Sequence, residues 1–314
     1  MTVDVLIPTY KPGRKFAALL HMLEKQTVPP DQILVMNTEE KFWNGEGLPK
    51  LSQLKVRHLS KAEFDHGGTR NRAAGYSKAD ILVFMTDDAV PADTHLLERL
   101  AEAVAGTGPE GEPVAAAYAK QLPAEDCRFI ERYTRAFNYP DTGAIKTKAD
   151  LPRLGIKTYF ASNVCCAYRR EIFEQLGGFV ESTIFNEDML FAAKAVQAGY
   201  AVAYVPEARV VHSHNLSPME QFRRNFDMGV SQADHPEVFA DVPAEGEGIR
   251  LVKQTARYVL RKGRPWLLPS LVVTSGCKYL GYRLGKRYRA LPHRLVLWCS
   301  MSPYYWNRKW RKQP

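Results

Sequence analysis

Four short, largely apolar runs, Val3–Ile7, Ile33–Met36, Val56–Leu59 and Ile81–Met85, recur along the amino-terminal part of the chain with helical spacing or turn residues between them. Runs of this kind read as strands buried on both faces, and strands that alternate with helices are joined by crossovers that leave them parallel. Helical patterns fill Arg14–Lys25, Thr69–Tyr76 and Thr94–Ala105, the last with Asp93 as its expected N-cap, and a further helical stretch covers Glu125–Phe137. The expected fold class is therefore α/β on a mostly parallel sheet, with a second organised block over Tyr159–Gly229 and no internal repeat.

In such sheets ligands bind outside the carboxyl ends of the strands. Three segments fall there: Pro8-Thr9-Tyr10, Asn37-Thr38-Glu39 and Thr86-Asp87-Asp88. The first turn reads Pro8-Thr9-Tyr10-Lys11-Pro12-Gly13, which lacks the G-x-G-x-x-G of a dinucleotide dehydrogenase. The chain has no Walker A motif either, which weighs against a P-loop phosphotransferase.

Charge is distributed unevenly. Residues 249–314 hold 16 Lys or Arg and no Asp or Glu, whereas the rest of the chain is net acidic, and ten Tyr or Trp are interleaved in the basic segment. An acidic enzyme body ending in a basic aromatic tail implies an anionic partner, either nucleic acid or an anionic membrane surface. The longest uncharged stretch of that tail, Pro265–Cys277, has 13 residues. As a helix it would reach about 20 Å, too short for a hydrocarbon core of roughly 30 Å. The expected organisation is a catalytic domain over 1–242, a linker at 243–248 and a membrane-associating tail over 249–314. Five cysteines without a CxxC pair fit a reducing cytoplasm. The first residues read as a strand, not as a signal peptide, so the mature protein is expected to begin at Met1.

Three groups of residues offer chemistry. Asp87 and Asp88 follow an apolar strand and could give a hard divalent cation oxygen ligands. Glu187 and Asp188 open a helix, where acids favour the dipole in any protein but could also supply a general base. His212 and His214 follow the β-branched pair Val210-Val211 and point to one face, which suits a shared metal with either or both as ligands. The segment Phe64–Asn71 joins a Gly-Gly turn to a helix start, where backbone N–H groups and Arg70 could hold phosphate oxygens, with Thr69 as a cap.

Taken in order, Val5–Tyr10, His66-Gly67-Gly68-Thr69-Arg70-Asn71, Thr86–Pro91, Gly177-Gly178-Phe179, Glu187-Asp188 and His212–Asn215 resemble glycosyltransferase family 2, in particular its bacterial rhamnosyltransferase branch. Lys278–Gly285 is similar to the end of such members. The resemblance implies a GT-A fold, a divalent metal (Mn²⁺ or Mg²⁺), and inverting transfer from dTDP-L-rhamnose or a related nucleotide-diphosphate sugar. It also implies a lipid-linked glycan acceptor at the cytoplasmic face of the membrane. It makes Asp188 the catalytic base, with Glu187 beside it, and gives Asp88 to the metal, helped by His212 or His214. It assigns the donor to Pro8, Thr9, Tyr10, Asn37, Thr38, Gly68, Arg70, Asn71, Asp87, Asp88 and Asn163. Thr86 stands where the family's metal motif carries its first carboxylate, a departure that leaves fewer ligands on the protein. A sugar nucleotidyltransferase is the enzyme alternative, but the Gly-rich, Lys-containing loop it needs after the first strand is missing. A nucleic-acid module built on the tail is the non-enzyme alternative; it carries no recognisable motif, and no nucleic acid is expected as a partner.

Overall fold

The computed structural model describes residues 1–240 and 245–311. Among them nine strands form one mixed sheet: β1 (Val3–Tyr10), β2 (Gln32–Thr38), β3 (Leu54–Leu59), β4 (Ile81–Met85), β5 (Val90–Pro91), β6 (Val114–Leu122), β7 (Ala144–Lys146), β8 (Cys165–Arg169) and β9 (Ala201–Val211). The order is β3-β2-β1-β4-β8-β6-β9-β5, with β7 on β9. The four strands expected from the apolar runs are present and mutually parallel. β8 runs antiparallel between β4 and β6, and β6 pairs parallel with β9. As a result β1, β2, β4, β6 and β9 all end at one edge, and the segment leading into β8 starts from that same edge. This is what gathers residues far apart in sequence.

The chain divides into two compact units. The first comprises 1–124, 139–181 and 187–212. Its core is the expected one: Val5, Ile7, Ile33, Val35, Val83 and Met85 from the strands meet Phe16, Leu19, Leu20 and Leu23 from the Arg14–Glu24 helix. Two local expectations are corrected. Asp93 does not cap the Leu96–Ala105 helix, whose cap position is His95. Its carboxylate is taken by the guanidinium groups of Arg99 and Arg209, 2.9 Å from each, and these cations hold it well below the usual range, to about 2, against the upward push of partial burial. The helix that follows Phe64-Asp65 begins at His66, not Thr69, because Asp65 caps it by accepting from the Gly68 N–H at 2.7 Å.

The second unit comprises 125–138, 182–186 and 213–314. Its division from the first lies well ahead of the 242/249 boundary expected from charge. Of the expected linker, 243 and 244 lie outside the described residues, and from Glu245 the chain is helical. The basic segment is built into this unit, not appended to it. Its Leu268–Lys286 helix lies against the Pro218–Asp234 helix through glycine notches: a Cβ on Gly281 would stand 2.1 Å from the Phe222 carbonyl oxygen, and one on Gly285 2.1 Å from that of Phe226. Further along, Trp306 is fully buried with Phe226, Val230 and Val296. Asp234 accepts from the Tyr288 hydroxyl (2.6 Å), Arg289 (2.9 Å) and Lys309 (2.6 Å), so part of the tail's charge is neutralised internally. No helix among the described residues is long and apolar enough to cross a membrane.

The glycine notch makes a direct prediction. Gly281→Ala should lose about 1–3 kcal/mol through overpacking. Gly276→Ala on the same helix meets nothing within 4 Å and should be neutral or gain roughly 0.5–1 kcal/mol. Denaturant unfolding of the two variants checks this, and equal stabilities would contradict the close approach of these helices.

Candidate active site

The carboxyl edge of the sheet carries two acidic centres. At the first, neighbouring aspartates serve different strands. Asp87 Oδ2 accepts from Thr9 Oγ1 at 2.7 Å and from the Tyr10 N–H at 3.4 Å, which ties the end of β4 to the end of β1. Burial raises its pKa, and the adjacent Asp88 charge adds to the rise against the Thr9 hydrogen bond. Asp88 turns the other way, its Oδ1 3.4 Å from His212 Nε2 just past the end of β9. Gln121 at the end of β6 explains the aim of that ring: its amide nitrogen donates to the Tyr139 and Ser162 hydroxyls, so its Oε1 accepts from His212 Nδ1–H at 3.1 Å. Nε2 then faces a carboxylate oxygen of Asp88, and imidazole with carboxylate is a donor set that fits a divalent cation. Gln121 escaped the sequence reading because only the parallel pairing of β6 with β9 brings it beside His212. His214, two residues further on, is exposed and opens the second unit.

The second centre is at the start of the Glu187–Gln197 helix. Glu187 is buried and pairs with the buried Arg70 at 3.1 Å. Burial alone would raise its pKa, but Arg70, with His66 and Asn163 adding to it, brings Glu187 below the ordinary value. Asp188 is only part-buried, and its two oxygens accept from the Asn163 N–H (2.9 Å) and the Met189 N–H (2.8 Å). Desolvation first, then the Glu187 charge beside it, push its pKa up to about 7 despite those hydrogen bonds. A carboxylate poised there takes a proton readily near neutral pH.

Asn163 serves both acids. Besides its N–H to Asp188, its amide donates to Glu187 Oε1 at 3.2 Å, and its Oδ1 accepts from the Tyr168 hydroxyl at 2.8 Å. Its side chain thereby bridges Glu187 and Tyr168 while its backbone N–H holds Asp188. The Arg70 guanidinium is 3.1 Å from Glu187 and donates to the His66 carbonyl at 2.9 Å, while its buried Nε makes no hydrogen bond among the described residues. Asn71 clasps Phe179, accepting from its N–H and donating to its carbonyl, each at 2.9 Å. Gly67 is there because a Cβ would stand 2.0 Å from the Val180 carbonyl oxygen, and Gly68 gives its N–H to Asp65. The Phe64–Asn71 segment thus packs the site from behind.

The remaining expected donor residues line the strand ends. Pro8 and Thr9 pair with Met36 and Asn37 across β1 and β2. Among the described residues, the buried Asn37 Oδ1, Thr38 Oγ1 and Thr86 Oγ1 find no hydrogen-bond partner, and such orphans at a crevice are suited to a polar ligand. Tyr10 is exposed, set edge-on to Phe42, with Lys11 and Lys61 within 5.3 Å of its ring centre. The sequence reading passed over this cationic aromatic rim, since Phe42 and Lys61 belong to separate loops.

A mixed sheet of this order, with an aspartate and a histidine at one strand edge and paired acids on a helix at the same edge, is that of a GT-A glycosyltransferase. The chain belongs to glycosyltransferase family 2: the family model, Glycosyl transferase family 2, matches residues 4–177. It is 41% identical over 313 residues, 98% of this chain and 96% of the relative, to the O-antigen chain rhamnosyltransferase RfbN of Salmonella typhimurium. It is 39% identical over 306 residues, covering 96% and 95%, to the O-antigen chain rhamnosyltransferase WbaN of Salmonella anatum. Among solved structures the fold is like that of the mannosyltransferase PcManGT from Pyrobaculum calidifontis, described in complex with GDP-Man and Mn²⁺ (TM-score 0.54, 18% identity, 99% of this chain and 88% of that one). It is also like S. aureus TarS 1-349 in complex with UDP (TM-score 0.50, 17% identity, 92% of each chain).

The paired acids predict a pH signature. A base must be ionised to work, so with Asp188 in that proposed role activity should fall as pH drops through its raised pKa. Glu187→Gln removes the negative charge that helps to raise it and leaves Arg70 positive, and both changes favour the ionised form. The acid limb of the kcat profile should therefore move to lower pH in Glu187→Gln. A limb that stays in place or moves up would show that Glu187 does not tune Asp188.

Proposed function

We propose that this enzyme transfers L-rhamnose from dTDP-L-rhamnose, with inversion, to a lipid-linked cell-surface polysaccharide acceptor at the cytoplasmic face of the membrane. The observation that carries this reading is the match, over nearly the whole chain, to two relatives named as O-antigen chain rhamnosyltransferases. In this reading Asp188 removes the proton from the acceptor hydroxyl as that oxygen attacks the anomeric carbon, and one displacement inverts the centre. Asn163 holds Asp188 in place, and the Glu187–Arg70 pair sets its basicity. Thr9, Tyr10, Asn37 and Thr38 take the nucleoside end, with the Lys11 and Lys61 rim drawing in the anionic donor.

Asp88 and His212 would hold Mn²⁺ or Mg²⁺, with His214 as a third ligand that chain connectivity keeps near His212. When bound, the cation supplies electrostatic stabilisation of the departing nucleotide diphosphate. Gln121 keeps His212 in the tautomer that can ligate.

The test is a thermal-shift screen of dTDP, UDP and GDP sugars with each cation, followed by transfer to a lipid-linked glycan. dTDP-L-rhamnose with a divalent cation should raise Tm most, and the product should carry the opposite anomeric configuration. His212→Gln and Asp88→Ala should lose the cation-dependent part of the shift. Selective stabilisation by a UDP or GDP sugar would reject the donor, and an undiminished cation effect in both variants would reject the ligands.

The membrane reading has its own surface within the second unit. The exposed Trp266, Val272, Val273 and Leu280 are apolar, and the acid-free segment around them would draw toward anionic lipid at about 1 kcal/mol per nearby basic residue. A full-length Trp266→Ser, Val272→Ser, Val273→Ser variant should float less with anionic vesicles than wild type while keeping its Tm. Undiminished flotation would place the contact elsewhere.

A further inference from the structure

The second unit contains a cavity of about 310 Å³ that shares only His214 with the catalytic reading. It is built from three stretches of chain: the start of the Phe129–Asn138 helix, the Asn215–Leu216 turn immediately after His214, and the inner side of the Leu268–Lys286 helix. Its walls are held from outside. The Arg128 N–H donates to Asn215 Oδ1 and the Asn215 amide donates to the Asp126 carbonyl, each at 2.9 Å, which locks the turn. Phe129 is fixed by Tyr258, stacked at 5.2 Å, and by Arg264 over its ring at 4.4 Å.

The lining is two-sided. Phe129, Leu216 and Leu267 give it apolar walls, whereas Arg128, Thr274 and Lys278 bring cations and a hydroxyl. Lys278 is the informative residue. Its ammonium is largely desolvated, and among the described residues no hydrogen bond or ion pair holds it. Glu131, a carboxylate that also lines the cavity, is paired with Arg135 at 3.0 Å. A desolvated cation without a partner is costly, and an anion entering the cavity would repay that cost. Desolvation and the nearby Arg224 hold the Lys278 pKa below its usual value, against the pull of Glu131, as expected for a site waiting for negative charge.

We infer that this cavity binds the phosphate-bearing end of a prenyl-type lipid carrier, with Lys278 and Arg128 on the phosphates and the Phe129–Leu216–Leu267 wall on the first carbons of the chain. The cavity is amphipathic, which separates this ligand from a free phosphate, and its turn follows directly in sequence from the proposed metal ligands His212 and His214. The inference rests on the reading of a lipid-linked acceptor. It does not depend on which sugar is transferred.

The experiment uses the full-length protein without donor and measures binding of geranylgeranyl diphosphate, inorganic pyrophosphate and geranylgeraniol by calorimetry. Geranylgeranyl diphosphate should bind at least tenfold more tightly than either fragment. Lys278→Gln should weaken it at least tenfold, and Lys278→Arg should restore most of the loss. In transfer assays Lys278→Gln should raise the acceptor KM and leave the donor KM unchanged. Pyrophosphate binding as tightly as the prenyl compound would overturn the inference in favour of a free-phosphate site, and unchanged prenyl binding in Lys278→Gln would overturn it outright. If the prenyl diphosphate binds as described but the enzyme transfers a sugar other than rhamnose, the donor assignment fails and this one stands.

Discussion

The ion pair between Arg70 and Glu187 is buried on both sides, and the catalytic centre of the first unit is arranged around it. Two unlike charges taken out of water stabilise little as a pair, but removing either partner from such a pair costs about 3–5 kcal/mol because the other is left uncompensated. That asymmetry fixes much around it. It joins the His66–Tyr76 helix to the Glu187–Gln197 helix and keeps Glu187 ionised. An ionised Glu187 is what allows a neighbouring carboxylate to become a better base than an ordinary aspartate. Asn163 completes the arrangement by holding both acids through separate atoms.

The same economy appears at the other centre. Adjacent residues of a turn point apart, so Asp87 and Asp88 divide their work: one ties the ends of β1 and β4, and the other faces His212. A single Gln121 amide then decides which ring nitrogen of His212 faces Asp88. Both centres depend on a sheet whose parallel strands end at one edge while β8 begins there. Residues separated by as much as the distance from Thr9 to His212 in sequence thereby come to one rim.

What could be read from the sequence follows the range of the interactions involved. β1, β2 and β4 were legible because a continuous apolar run buried on both faces has one strand solution. Asp88 and Asp188 stood out as candidates because each sits at an element's end, where its chemistry is local. Gln121 was not, since its role is created by the pairing of β6 with β9, which no local pattern encodes. Arg70 was read as a phosphate ligand because a Gly-Gly turn before a helix is a common anion site; that the glycines admit the Val180 carbonyl and that Asn71 clasps Phe179 are long-range contacts with no local signal. The tail was read as an appendage because its charge dominates its composition. Gly281 and Gly285, the residues that build it into the second unit, carry no charge and were overlooked.

In the proposed reaction Asp188, tuned by the Arg70–Glu187 pair, is the base that deprotonates the acceptor. Single-turnover transfer by Asp188→Asn, with donor binding followed separately by calorimetry, tests it most directly because the substitution keeps shape and removes only the proton acceptor. The account predicts donor affinity within a few-fold of wild type and a transfer rate lower by ~10²–10⁴-fold. Transfer within a few-fold of wild type would contradict it, and loss of donor binding would move Asp188 from the acceptor side of the reaction to the donor side.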